Sequence, residues 1–211
     1  MIDIISSSGL TVFLITAVTL ILAITVHEFS HGFAAEKLGD PTPRLQGRLS
    51  LNPMAHLDPL GTIMLFLFGF GWGKPVLFDP FNLKNPRKDA AIISFAGPLS
   101  NIIMAVIASL IVRLLTGAGS SYNIVADALS LFVYFNLILA FFNLIPIHPL
   151  DGGKIFIGLL PKNEADEANA FLKRYGLIIL ILLIMPIFGG RSPIFSFLSP
   201  LVGNIMNILL P

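Results

Sequence analysis

Apolar residues in this chain fall in long unbroken runs, not at the every-second or every-third-or-fourth positions of a half-buried strand or surface helix. Stretches free of Asp, Glu, Lys, Arg and His cover 10–26, 59–73, 90–112, 128–147, 175–190 and 192–211. A full membrane crossing takes ~20 apolar residues at 1.5 Å rise. The third, fourth and sixth runs meet that length. The first meets it if its helix continues to Leu38, and the fifth if Phe171 and Leu172 extend it. The second is short, and Gly69, Gly71 and Gly73 break one end. The polar stretches between runs, 39–58, 74–89 and 151–174, are too short for a soluble domain. With no internal repeat, 1–211 reads as a single membrane domain.

Composition agrees. Hydrophobic residues make up 55% of the 211 and charged residues 12%, against ~25% in soluble domains. Mean hydropathy is +0.86. A soluble fold of this size cannot hide that much apolar surface. A net charge of +1 offers no basic field, so no nucleic acid partner is expected. The absence of Cys excludes disulfides, thiolate metal sites and a thiol nucleophile. No Lys or Arg precedes the first apolar run, so no cleavable signal is expected.

Candidate chemistry sits where the first run ends, in His27-Glu28-Phe29-Ser30-His31. Histidines at i and i+4 share one helical face, so both imidazoles can reach one ion. Glu28 beside them is placed to take a proton from a water at that ion. Three ionisable groups together in an apolar helix are costly, which argues against a chance pattern. A catalytic zinc site usually has three protein ligands, so one must come from elsewhere. His56, Asp58, Asp127, His148 and Asp151 are the candidates. Asp151 is the most suggestive, because Pro146, Pro149, Gly152 and Gly153 break the chain around it. Irregular backbone at membrane depth is tolerated only against protein or a water-filled cavity. Competing readings are a non-proteolytic membrane zinc-binding protein and a metal or ion transporter. Glu28 speaks against the first, and the lack of paired broken helices in two halves speaks against the second.

HEFSH together with Asn143-Leu-Ile-Pro-Ile-His-Pro-Leu-Asp151-Gly-Gly resembles the site-2 protease family of intramembrane zinc metalloproteases. Phe95-Ala-Gly-Pro-Leu-Ser-Asn101, the stretch 47–61 around His56, and Gly71-Trp-Gly-Lys-Pro-Val76 match as well. The match runs from about Leu10 to Lys154 and is of the compact form without a PDZ or other regulatory domain. The resemblance implies one zinc per chain, with His27, His31 and Asp151 as ligands and Glu28 as general base. It also implies supporting roles near substrate or transition state for Asn143, His56 and Asn101. An interhelical hydrogen bond is the other role open to Asn101, and a capping role the other for His56. The partner it implies is a transmembrane protein substrate in the lipid bilayer, such as a single-span regulator or a signal-peptide remnant. His148 stands where the family has an uncharged residue, and its expected place is the membrane interface.

A shared ion dictates topology. His27 and Asp151 both lie toward the C-terminal ends of their helices, so the first and fourth segments run the same way and the third runs oppositely. The run 59–73 must then enter and leave on one side. Of the 13 Lys and Arg, only Arg113 and Arg191 then fall opposite the rest. The positive-inside rule makes the rich side cytoplasmic, with the site open toward the cytoplasm of a prokaryotic cell. The expected architecture is an all-α polytopic membrane protein. It has about five full transmembrane helices, a re-entrant segment, and a short β-like loop in which 47–73 offers an edge strand to substrate.

Overall fold

The computed structural model describes residues 7–68, 73–117, 124–186 and 190–211. Its elements are helical: α1 (Ser7–Lys37), α2 (Thr42–Leu45), α3 (Pro59–Phe68), α4 (Pro86–Gly117), α5 (Ile124–Asn143), α6 (Asp151–Leu159), α7 (Lys162–Ile184) and α8 (Pro193–Leu209). Single 3₁₀ turns form at Pro53–Ala55 and Pro80–Asn82. Among the described residues three helices are long and apolar enough to cross a membrane: α1, α4 and α5.

The first helix does continue through the histidines. It stops at Gly39, whose φ of 105° suits a residue without Cβ. The amide of Asp40 then bonds back to the Ala35 carbonyl, and that of Gly39 to Glu36, closing the last turn. The Asp40 side chain is fully buried and gathers the following loop. It accepts from the Thr42 amide and hydroxyl, the Asp79 amide and the Asn82 side chain.

Helices α1, α4, α5 and α8 form the bundle. Ala105 and Ala108 of α4 pack on Val133 and Leu137 of α5 and Val202 of α8. Small residues let helix backbones approach where lipid gives no hydrophobic drive between them. Large apolar side chains remain on the outside, including Leu14, Val18, Ile107, Leu110 and Ile178. Such a belt is untenable against water and suits a hydrocarbon surround.

Contacts along the bundle fix direction. Asn101 of α4 meets Ala23 of α1 and Asn136 of α5. Leu14 and Ile15 lie beside Ile124 and Val125, so α1 and α5 run the same way. At the end away from His27, Arg113 donates to the carbonyls of Ile208 and Leu209, so α8 ends where α4 ends.

The last two apolar runs fold as α7 and α8. The N-terminal half of α7 carries Lys162, Glu164, Asp166, Glu167 and Lys173. Its apolar end packs Leu180 with Ile147 and Leu150 and with Ile194 and Leu198 of α8. Neither α7 nor α8 is among the helices long and apolar enough to cross a membrane alone. Arg191 lies beside Ile179, Leu183 and Ser196.

The stretch 47–73 is not an edge strand. Asp58 accepts from the Gly61 amide, Pro59 follows at the first helical position, and α3 forms. Its glycine-rich end, 69–72, lies outside the described residues. The β-like loop is reduced to one antiparallel bridge between Leu57 and Gly73, with Lys74 N–H donating to the His56 carbonyl. The excursion 58–72 therefore begins and ends at one place. A segment without regular secondary structure follows it, at 74–79.

Candidate metal centre

Two elements deliver the three donors: α1 brings His27 and His31, and the first turn of α6 brings Asp151. The Nε2 atoms of His27 and His31 are 3.0 Å apart, and each is 3.1 Å from Asp151 Oδ2. Both imidazoles are buried, and the carboxylate nearly so. These three are the one cluster of His, Asp or Glu able to share an ion among the described residues.

Hydrogen bonds fix which nitrogens carry protons. Asn136 Nδ2 donates to the Phe132 carbonyl, so its Oδ1 must accept. Asn101 Nδ2 donates to that oxygen (2.8 Å) and to the Ala23 carbonyl (3.2 Å). Asn101 Oδ1 therefore faces His27 and accepts from Nδ1 at 2.6 Å. His31 Nδ1 donates to the Ile93 carbonyl at 2.7 Å. In the neutral tautomers both Nε2 atoms aim lone pairs at each other and at a carboxylate oxygen, a donor set that a cation at the centre satisfies. Tetrahedral zinc with Zn–N and Zn–O near 2.0–2.2 Å needs donors about 3.3 Å apart, close to the spacing present. The residues fit a zinc ion, and the outer bonds on both Nδ1 atoms are of the kind that orient zinc-binding histidines.

Packing around the donors depends on glycine. A Cβ on Gly97 would lie 2.5 Å from His31 Nε2 and 2.7 Å from His27 Cε1, so only glycine lets α4 pass the two rings. A Cβ on Gly152 would lie 2.2 Å from the Ile145 carbonyl oxygen, so the Asp-Gly-Gly turn packs on the end of α5 through backbone alone.

A cavity of about 130 Å³ opens on the donors, and Glu28, Ser94, Asn143, Pro149 and Lys154 share its wall with them. Glu28 Oε2 accepts from the Val76 amide at 3.0 Å, so the segment around Val76 lies against the carboxylate. Asn143 turns its Nδ2 to the Leu139 carbonyl of its own helix.

The expected residues divide clearly. His27, His31, Asp151, Glu28 and Asn143 meet at one cavity. Asn101 makes the interhelical hydrogen bonds open to it, to Ala23 and Asn136, and also meets His27 Nδ1. His56 is not brought to the site: it is fully buried in the loop before α3, where Nε2 donates to the Ser50 carbonyl at 2.6 Å. Asp58 caps α3. His148 does not join the donors. Asn136, Ser94 and the Val76 amide were not singled out by sequence. An Asn in an uncharged apolar run gives no sign of what it faces, and nothing in the sequence marks the other two.

Comparison with known proteins gives a family model over the second motif and relatives over most of the chain. The family model described as Peptidase family M50 matches residues 117–185. "Putative zinc metalloprotease YwhC" of Bacillus subtilis (strain 168) is 37% identical over 178 residues, covering 82% of this chain and 81% of that protein. "Putative zinc metalloprotease Rip2" of Mycolicibacterium smegmatis is 28% identical over 182 residues, 83% of this chain and 68% of that protein. Stage IV sporulation protein FB of Bacillus subtilis is 30% identical over 196 residues, 85% of this chain and 65% of that protein. No solved structure gives a significant match.

Proposed function

The chain belongs to peptidase family M50, and from that premise we propose that it is a site-2-type intramembrane zinc protease. In this reading it cleaves peptide bonds within or next to transmembrane segments of membrane-protein substrates, as in regulated intramembrane proteolysis. The observation that carries it is the convergence of His27, His31 and Asp151 on one point, with Glu28 in the same cavity wall.

One zinc ion held by His27, His31 and Asp151 would supply Lewis-acid polarisation of a water and of the scissile carbonyl. Glu28 takes the proton of the attacking water and delivers it to the leaving amine. Its Oε2 is held by Val76, which leaves Oε1 for that transfer. Asn101 keeps His27 in the tautomer that leaves Nε2 free. Asn143 stands at the cavity edge, where an amide can hold the substrate backbone. The segment 74–79 lines the cavity through Pro75, Val76 and Phe78, which supports it, rather than 47–73, as the place where unwound substrate lies.

The paired ends of 58–72 support a re-entrant α3 that enters and leaves on one face of the membrane. The Lys and Arg bias supports that face being cytoplasmic.

The test is metal content and cleavage of a transmembrane substrate measured together. Glu28→Gln should keep one zinc per chain and lose activity by about 10²–10⁴-fold. Asp151→Ala should lose the zinc. Wild-type turnover in Glu28→Gln would sink the mechanism.

A further inference from the structure

Separate from the metal cavity lies a second hollow of about 280 Å³, between the start of α4, α6 and the polar half of α7. Arg87, His148, Lys154 and Asn169 line it, and Asp166 is the acidic group in its wall. Two nitrogens here are buried with no hydrogen-bond partner: Arg87 Nη1 and His148 Nε2. Leaving such groups unpaired is costly, and buried polar atoms in folded proteins nearly always find a partner. Asp166 does not supply it. The ion pairs among the described residues are His27–Asp151, His31–Asp151 and Arg44–Glu36. Lys154 has no carboxylate either, and its ammonium rests 5.2 Å from the Phe78 ring centre.

We propose that this hollow binds a phosphate oxyanion, held by Arg87, His148 and Lys154. The three come from α4, the loop before α6, and α6 itself, so they approach from different sides. That suits a tetrahedral group with three or more acceptor oxygens better than a planar carboxylate, which a single guanidinium satisfies side-on. Burial, opposed by a hydrogen bond with Asn169 and reinforced by Lys154 and Lys173, holds the His148 imidazole below its ordinary pKa. An anion among these groups removes the repulsion. The hollow sits where the charged first turn of α4 gives way to its apolar run, so a lipid phosphodiester and a soluble phosphate can both reach it. Lys154 also lines the metal cavity, which links the two sites through one side chain.

The test uses the full chain in neutral detergent, with inorganic phosphate titrated at ionic strength held constant by sodium chloride. A saturable rise in Tm that chloride does not produce is expected. Arg87→Gln and His148→Gln should each weaken the apparent Kd about tenfold or more. A second arm compares phosphatidylcholine vesicles with and without phosphatidylglycerol. Stabilisation by phosphate in detergent identifies a soluble ligand. Stabilisation only by phosphatidylglycerol, lost in both variants, identifies a lipid headgroup. If Arg87→Gln does not fold, Arg87→Lys and His148→Gln carry the same comparison. The proposal is overturned if neither probe stabilises the protein, or if the variants respond as wild type does. None of these outcomes depends on peptidase activity.

Discussion

At the scale of single residues, the metal centre depends on a proton arrangement that begins away from the ligands. The Phe132 carbonyl orients Asn136, Asn136 orients Asn101, and Asn101 fixes the His27 tautomer. Loss of such an outer partner typically costs 10–100-fold in metal affinity. Asn101→Leu should therefore weaken zinc binding by about that factor, and Asn136→Leu by less, because Ala23 still orients Asn101. Activity at saturating zinc should return toward wild type in both, which a defect in the chemical step would not allow. Zinc titration with a competing chelator checks this; an unchanged Kd in Asn101→Leu removes the relay. The ligands themselves were legible because charged groups in apolar runs are rare and their spacing has a geometric meaning. Asn136 was not, since one amide in a helix gives no sign of what it faces. His56 misled for a related reason: its motif is real, but its hydrogen bond goes to Ser50 and serves the loop.

At the scale of elements, two close approaches govern the site. The first is α4 against α1 at Gly97. Gly97→Ala raises intrinsic helix propensity, yet its methyl would stand 2.5–2.7 Å from both imidazoles. The expected result is unchanged helicity by circular dichroism with zinc binding lost or greatly weakened. Normal zinc content in this variant would show that α4 can withdraw without disturbing the ligands. The second is the anchorage of 74–79 to the end of α1 through Asp40. Burial alone would raise this carboxyl, but hydrogen bonds from Thr42, Asn82 and the Asp79 amide hold it below the usual aspartate range. A depressed folded pKa gives stability that is complete above the unfolded value of about 3.9 and is lost as pH falls through the folded value. The Tm advantage of wild type over Asp40→Asn should thus be constant at neutral pH and shrink once pH drops below about 4. A constant gap down to the lowest pH at which the protein folds would contradict it. Helix α1 and its end were readable from apolar run, polar extension and Gly39. The segment 74–79 was not, because its conformation is set by Glu28 and Asp40, which are distant in sequence.

At the scale of the whole molecule, the sequence reading takes α7 and α8 as two spans, because 175–190 and 192–211 are both uncharged. Among the described residues only α1, α4 and α5 are long and apolar enough to cross alone. Leu180 packs against Ile194, and Ile208 and Leu209 finish beside Arg113. The C-terminus then lies at the end opposite the metal site, together with the end of α4. The chain has no Cys, so single-cysteine variants carry no background labelling. Arg48 is a poor position, because it is buried and donates to the Ala55 and Lys74 carbonyls. Gln46, Lys84 and Lys162 are exposed, as are Gly117 and Pro211, and a Cβ at Gly117 meets nothing. In intact cells an impermeant thiol reagent should spare Gln46→Cys, Lys84→Cys and Lys162→Cys and label Gly117→Cys and Pro211→Cys. If Lys84→Cys labels and Gln46→Cys does not, 59–73 crosses the membrane, and the antiparallel packing of α1 and α4 around one metal is wrong. If Pro211→Cys is spared while Gly117→Cys labels, α7 and α8 each cross, as their run lengths alone imply.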